Sequence, residues 1–95
     1  MEHTLTMPLD QIVRFKNPIE KCGKVQVPKI IRWQFKMEPD QILKVEIYGR
    51  GGQESYYAKM GKDGRIYIPK TILFSAFGKV DNLTGTLVEI AIQPA

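Results

Sequence analysis

Gly23-Lys24-Val25-Gln26-Val27-Pro28-Lys29 is met again 41 residues later as Gly64-Arg65-Ile66-Tyr67-Ile68-Pro69-Lys70, and this pair of heptapeptides decides how the 95-residue chain is read. In each, a Gly able to take positive φ leads into a strand whose alternate residues are apolar: Val25 and Val27 in one, Ile66 and Ile68 in the other. A Pro at the strand end then opens a short helical pattern. Repetition at a fixed spacing marks a chain assembled from copies of one supersecondary unit. One such unit is too small to bury a core alone, so the two are expected to share one.

The flanks extend the repeat. Val13-Arg14-Phe15-Lys16 alternates apolar and basic residues, and Pro18 signals a sheet edge or bulge before Ile19. Tyr56-Tyr57-Ala58-Lys59-Met60 occupies the same place in the second copy, with Phe15 falling on Tyr56 and Ile19 on Met60. Glu20-Lys21-Cys22-Gly23 and Gly61-Lys62-Asp63-Gly64 both read as hairpin turns closed by a Gly. After each helix a last strand follows, with Leu43, Val45 and Ile47 on one face in the first copy and Val88, Ile90 and Ile92 in the second. Glu38-Pro39-Asp40 and Asp81-Asn82 are the turns that lead into these strands. Placing Val88-Glu89-Ile90 on Val45-Glu46-Ile47 requires two extra residues in the second copy. Gly49-Arg50-Gly51-Gly52-Gln53 reads as a flexible connection too short to separate independent domains. The expectation is one domain over 1–95, built from a first unit at 12–48 and a second at 53–92, mostly β with two short helices.

Composition narrows the function classes. No apolar run approaches the roughly 20 residues of a membrane span, and Met1-Glu2-His3-Thr4 lacks the basic and apolar regions of a secretory signal, so cytoplasmic residence is expected. Cys22 is the one cysteine, which leaves no intrachain disulfide and no cysteine-based metal site. The one histidine, His3, stands in the N-terminal tail, and no Ser, Cys or Asp has an evident base, so no catalytic residue, metal, cofactor or small-molecule substrate is expected and the chain does not read as an enzyme. Gly49, Gly51 and Gly52 lack the following Lys and Ser or Thr of a phosphate-cradling loop. Fourteen Lys and Arg against ten Asp and Glu give +4, concentrated in the first copy, where residues 12–48 hold eight basic and four acidic side chains. Such an excess permits attraction to nucleic acid or another anionic surface.

Strand, Gly turn, strand ending in a Pro-Lys pair, short helix, turn and final strand together resemble the swapped-hairpin family of AbrB, MazE and MraZ transcription factors and antitoxins. The family's line Gly-Arg-Ile-x-Ile-Pro-Lys-x-Ile-Arg is met by residues 64–72, and less closely by residues 23–32. The likeness spans about residues 12–92. It implies a small β-barrel of interleaved hairpins, here formed within one chain as a pseudo-dimer, and it implies a DNA-binding transcription regulator or chromatin-associated factor with double-stranded DNA as partner. Leu73 stands where the family usually has an Arg, and Asn17 and Ala58 stand where a first-strand base is common, which weakens DNA contact in the second copy. The family's antitoxins carry a partner-wrapping segment past the barrel, whereas this sequence reaches Gln93-Pro94-Ala95 soon after its last strand, so an antitoxin-like role ranks behind DNA binding.

The candidate nucleic-acid contacts are Lys24, Lys29, Arg32, Lys36, Arg65 and Lys70. Lys29, Arg32 and Lys36 fall on one stripe of the first helix, which fits a solvated face and a phosphate-binding face equally, while Ile31 and Phe35 point to the core. Lys24 and Arg65, with Lys21 and Lys62, sit at hairpin tips and strand starts; such residues supply affinity, not base reading. Gln26 and Tyr67, outward on the same strands, are the candidates for a base edge, although exposed strand Gln and Tyr more often serve as cross-strand partners. In the second helix the stripe becomes Lys70, Leu73 and Phe77, and with Phe74 it suggests either deeper burial or an oligomer or partner contact, the alternative function being a protein-interaction module. Trp33 and Phe74 correspond in the repeat; packing against a neighbouring loop is the first expectation for both, and stacking on a nucleobase the second.

Overall fold

A computed structural model of the chain describes residues 12–50 and 52–95. The element order is β1 (Val13–Pro18), a single 3-10 turn (Lys21–Gly23), β2 (Lys24–Gln26), α1 (Lys29–Gln34), β3 (Ile42–Gly49), β4 (Gly52–Lys59), β5 (Arg65–Tyr67), α2 (Lys70–Phe77) and β6 (Leu87–Pro94). The protein is mostly β with two helices, as expected. Its strands form two separate ladders, a four-stranded antiparallel sheet ordered β1-β6-β3-β4 and a two-stranded ribbon of β2 and β5. The strand ladders do not close on themselves into the barrel that the resemblance implies.

Period-two patterning sets which face of each strand is buried. Leu43, Val45, Ile47, Ile90 and Ile92 have no exposed surface and Val88 almost none, while their neighbours in sequence are more exposed, except Ala91, which is also buried. Phe15, Ile19 and Met60 join the same core from β1 and from the end of β4, and Val25, Val27, Ile66 and Ile68 close it from the ribbon. Pro18 lies in edge strand β1, whose one ladder partner is β6, where its missing N–H is tolerated.

Pairing runs between the two halves of the chain. β1 lies against β6, and β2 against β5. In the ribbon Val25 faces Ile66, the residue 41 positions on, with Lys24 opposite Tyr67 and Gln26 opposite Arg65. In the sheet Glu46 of β3 faces Ala91 of β6, 45 positions on. Hydrogen bonds recur at these spacings: Ile19 N–H donates to Thr86 O at 2.9 Å and Met60 N–H to Gln41 O at 2.9 Å, while Gly85 N–H donates to Ile19 O at 2.7 Å and Asp40 N–H to Met60 O at 2.8 Å. The backbone bonds just ahead of the last strands thus recur at a spacing of 45, Asp40 with Gly85 and Gln41 with Thr86, while within the ladder Glu46 faces Ala91 and Ile47 faces Ile90, 43 positions on, the spacing that aligning Val-Glu-Ile gives.

Neither helix has a side-chain cap; the carbonyls of Pro28 and Pro69 accept the first helical N–H bonds, from Ile31 and Arg32 in α1 and from Ile72 and Leu73 in α2. α1 stops at Gln34. Lys36 takes φ 52, its N–H donates to Trp33 O at 3.3 Å, and Met37 N–H donates to Arg32 O at 2.9 Å. That is a Schellman ending with a lysine where glycine is usual. α2 runs two residues longer than α1 and ends on Gly78 at φ 76.

The stretch around Gly49 is no loose connection. Gly49 pairs with Gly52 at the closed end of the β3–β4 hairpin, and α2 packs against that hairpin so tightly that a Cβ on Gly49 would lie 2.2 Å from Ala76 O. Gly49→Ala is therefore expected to destabilise the fold by about 3 kcal/mol or more, since backbone must move. Lys36→Gly is expected to stabilise it by about 1 kcal/mol by removing a left-handed non-glycine residue. Urea unfolding midpoints of the two variants check both signs.

Candidate nucleic-acid interface

Alternation in the ribbon sends Val25 and Ile66 inward, each with no exposed surface, and leaves Lys24, Gln26, Arg65 and Tyr67 on the opposite face. These four side chains are not equally available. Arg65 donates from Nε to Glu20 Oε1 at 2.6 Å and from Nη1 to Asp63 Oδ2 at 2.8 Å, so it bridges the two hairpin turns. Its backbone N–H also donates to Asp63 Oδ1 at 3.1 Å. These bonds to Arg65 hold the Asp63 carboxyl below the usual carboxylate range. Gln26 Nε2 donates to Asp63 O at 2.9 Å and to Val27 O at 3.2 Å, and Gln26 O accepts from Asn17 Nδ2 at 2.6 Å. Gln26 is thus a brace between β1, β2 and the second turn, not a free reader of base edges. Lys24 and Tyr67 remain exposed.

The two turns have the same backbone bonding. Glu20 N–H donates to Lys24 O and Gly23 N–H to Glu20 O; Gly61 N–H donates to Arg65 O and Gly64 N–H to Gly61 O. What covers them differs. The Arg32 guanidinium lies against Gly64, where a Cβ would come within 2.4 Å of its Cζ, and Arg32 Nε donates to Val27 O at 3.1 Å. Gly23 is instead approached by Leu73, whose Cδ1 would be 3.7 Å from a Cβ there. Arg32 and Leu73, 41 residues apart, are both covers for a turn glycine; one brings a charge to the half-exposed surface and the other does not.

The basic stripe of the first helix breaks up accordingly. Lys29 opens α1 and is exposed, and Arg32 leans onto the second turn. Lys36 lies beyond the helix end, exposed, because its left-handed backbone leaves the helical path. Lys70 opens α2 and is exposed. Among the described residues, Lys21, Lys24, Lys29, Lys36, Lys62 and Lys70 enter no ion pair.

The apolar stripe of the second helix also divides. Leu73 is 4% exposed and belongs to the core, which removes it from any partner contact; Phe77 is half-buried against that core, and Phe74 is 61% exposed. Trp33 is 78% exposed. The expected burial of Trp33 and Phe74 against loops is therefore not found. Both helices are short and rest on the core through Ile31 and Phe35, or through Ile72, Leu73 and Ala76, which leaves Trp33 and Phe74 off the core-facing side.

Other surfaces offer less. On the outer face of the four-stranded sheet Arg14 approaches Glu89 at 3.9 Å and lies 5.1 Å over the Tyr48 ring, whose hydroxyl donates to Glu46 Oε1 at 2.9 Å. No group of three or more His, Cys, Asp or Glu suited to a metal occurs among the described residues, and His3 lies outside them. None of the helices described is long and apolar enough to cross a membrane. Sequence reasoning missed Glu20 and Asp63 as partners of Arg65. Asp63, two residues before Arg65 in a turn, was a legible signal; Glu20, 45 residues away, was not.

No family model and no curated protein matches the chain. A similar solved structure is the solution structure of PHS018 from Pyrococcus horikoshii, with a TM-score of 0.69 at 19% identity, covering 86% of this chain and 94% of that one. At that identity the likeness is one of fold.

The Asp63–Arg65 pair makes a pH prediction. A carboxylate whose pKa is lowered on folding stabilises the fold above its ordinary pKa, and the gain is lost as pH falls from there through the lowered folded value. Asp63→Asn should thus be less stable than the wild type at neutral pH, with the gap closing below the ordinary aspartate value of about 3.9. Unfolding curves of both proteins across that range measure it.

Proposed function

We propose that this chain is a small nucleic-acid-binding protein, of the DNA-binding transcription-regulator or chromatin-associated kind, and a binding protein rather than an enzyme. We read it as two swapped-hairpin units, residues 12–48 and 53–92, folded together as a pseudo-dimer of the AbrB-like type. The residue-on-residue register of Val25 with Ile66 and of Glu46 with Ala91 supports that reading, because a two-fold axis relating two copies would pass through such pairs.

One observation carries the functional reading. The outward face of the β2–β5 ribbon bears Lys24, Arg65, Gln26 and Tyr67, and Lys29 and Lys70 follow at the helix starts, so cations stand in pairs 41 residues apart about the ribbon. A two-stranded ribbon is narrow enough for the major groove of a DNA duplex, and a two-fold arrangement of cations suits the two backbones beside it. Exposed lysines neutralise phosphates and release counterions, which yields affinity without sequence information. Arg65, tied to Glu20 and Asp63, orients the tips more than it reaches outward. The exposure of Phe74 favours a second reading, a protein-interaction module in which that ring meets a partner or another copy. Phe74→Asp would then abolish association and leave DNA affinity unchanged.

Binding to a random-sequence duplex over a salt series tests the main reading. The wild type is expected to lose affinity log-linearly with salt, and the combined Lys24→Ala, Lys29→Ala, Lys70→Ala variant to bind more weakly with a slope shallower by about 2–3. Since all three side chains are exposed, the variant's thermal unfolding should match the wild type. Absence of wild-type binding at low salt refutes the reading.

A further inference from the structure

We infer that Trp33 is a base-stacking platform and that the groove beside it takes a single-stranded segment of nucleic acid, one base lying on the indole and the adjoining phosphates on Lys29, Arg32 and Lys36. The inference rests on the nucleic-acid reading above and goes beyond it by naming the form of strand.

Trp33 has the highest exposure of the large apolar residues among those described, 78%, next to a helix end whose aromatic Phe35 packs on the core. An indole left open this far offers an apolar π face to a planar partner. Its surroundings select that partner. Lys29 precedes it by one turn on the same helix face, and Arg32, Gln34, Lys36, Met37 and Glu38 line with it a groove of about 540 Å³. Two cations of the groove, Arg32 and Lys36, against the one carboxylate of its lining, Glu38, with Lys29 a turn away from Trp33, suit a phosphate chain. They do not suit a second copy of this chain, because protein interfaces deplete charge around their apolar centres. A base paired within a duplex has its faces covered by neighbours, whereas an unpaired base can turn its face to an aromatic side chain.

Several features set this site apart from an ordinary exposed helix face. Lys36 and Met37 line the groove with Trp33, held by the Schellman ending that ties their N–H groups to Trp33 O and Arg32 O. Arg32 is steadied there by its bond to Val27 O and its contact with Gly64. Phe74, 61% exposed, follows Lys70 by four residues as Trp33 follows Lys29, so the second helix presents an aromatic beside a lysine in the same order. A strand that engaged both would meet aromatic faces between cations, the arrangement that binds single strands with little sequence preference.

Trp33 is the chain's one tryptophan, so its emission reports on this site alone. A short oligothymidylate and a random duplex of equal length are titrated into the full chain, with emission and the anisotropy of labelled strands read together. Saturable quenching by the single strand is expected, with tighter binding to it than to the duplex. Trp33→Ala should weaken single-strand binding about 5- to 100-fold without changing the salt slope, and Trp33→Phe should retain most of the affinity. Unchanged circular dichroism confirms that the exposed substitutions leave the fold intact. Duplex binding with silent Trp33 emission, or a Trp33→Ala variant of undiminished single-strand affinity, overturns this inference and leaves the nucleic-acid reading standing. If neither form binds at low salt, both fall. Emission that shifts with protein concentration alone, or with anionic phospholipid vesicles but not with oligothymidylate, also overturns it.

Discussion

Val25 against Ile66 is the contact on which the rest of the structure depends. The two residues face each other in a ribbon only three residues long on each side, and neither has exposed surface. A two-stranded ribbon of that length does not persist in water by itself. It persists here because Val27 N–H donates to Gly64 O and Ile68 N–H to Gly23 O, which tie each strand end to the turn of the other hairpin. Burial of a Val or Ile side chain contributes about 1.5–3 kcal/mol, so this small centre matters to a domain of this size. Since β1 also finds its ladder partner in β6, neither half completes its sheet without the other.

Around that centre a near-equivalent framework holds unequal contents. The turn glycines, the prolines at the helix starts and the paired backbone bonds recur, whereas the residues laid over them diverge. Arg32 over one turn and Leu73 beside the other show the divergence best. One half keeps a charged, half-exposed cover and a helix that ends early; the other has an apolar cover, a helix two residues longer and a tighter seat against Gly49.

Much of this was legible in the residues. Alternation marked the inward faces of β1, β3 and β6, the glycines marked the turns, and Pro28 and Pro69 marked the helix starts, because each signal is local and acts through sterics or period. The candidate site was legible only in outline. Lys24, Lys29 and Lys70 could be placed outward from strand and helix period alone, but Arg65 could not be known to be held by Glu20, nor Gln26 to brace Asp63, since those bonds join turns far apart in sequence.

Strand faces, the two Gly turns, the proline-led helices and the excess of positive charge could be read from the residues alone, because they follow from side-chain chemistry and backbone sterics within a few positions. Which strands pair, and that the sheet and ribbon stay separate ladders, emerge only when the chain has folded. Folding also makes Leu73 core and leaves Trp33 bare. Those outcomes turn on what lies above a given helix face once the chain has closed, and no local pattern of residues contains that.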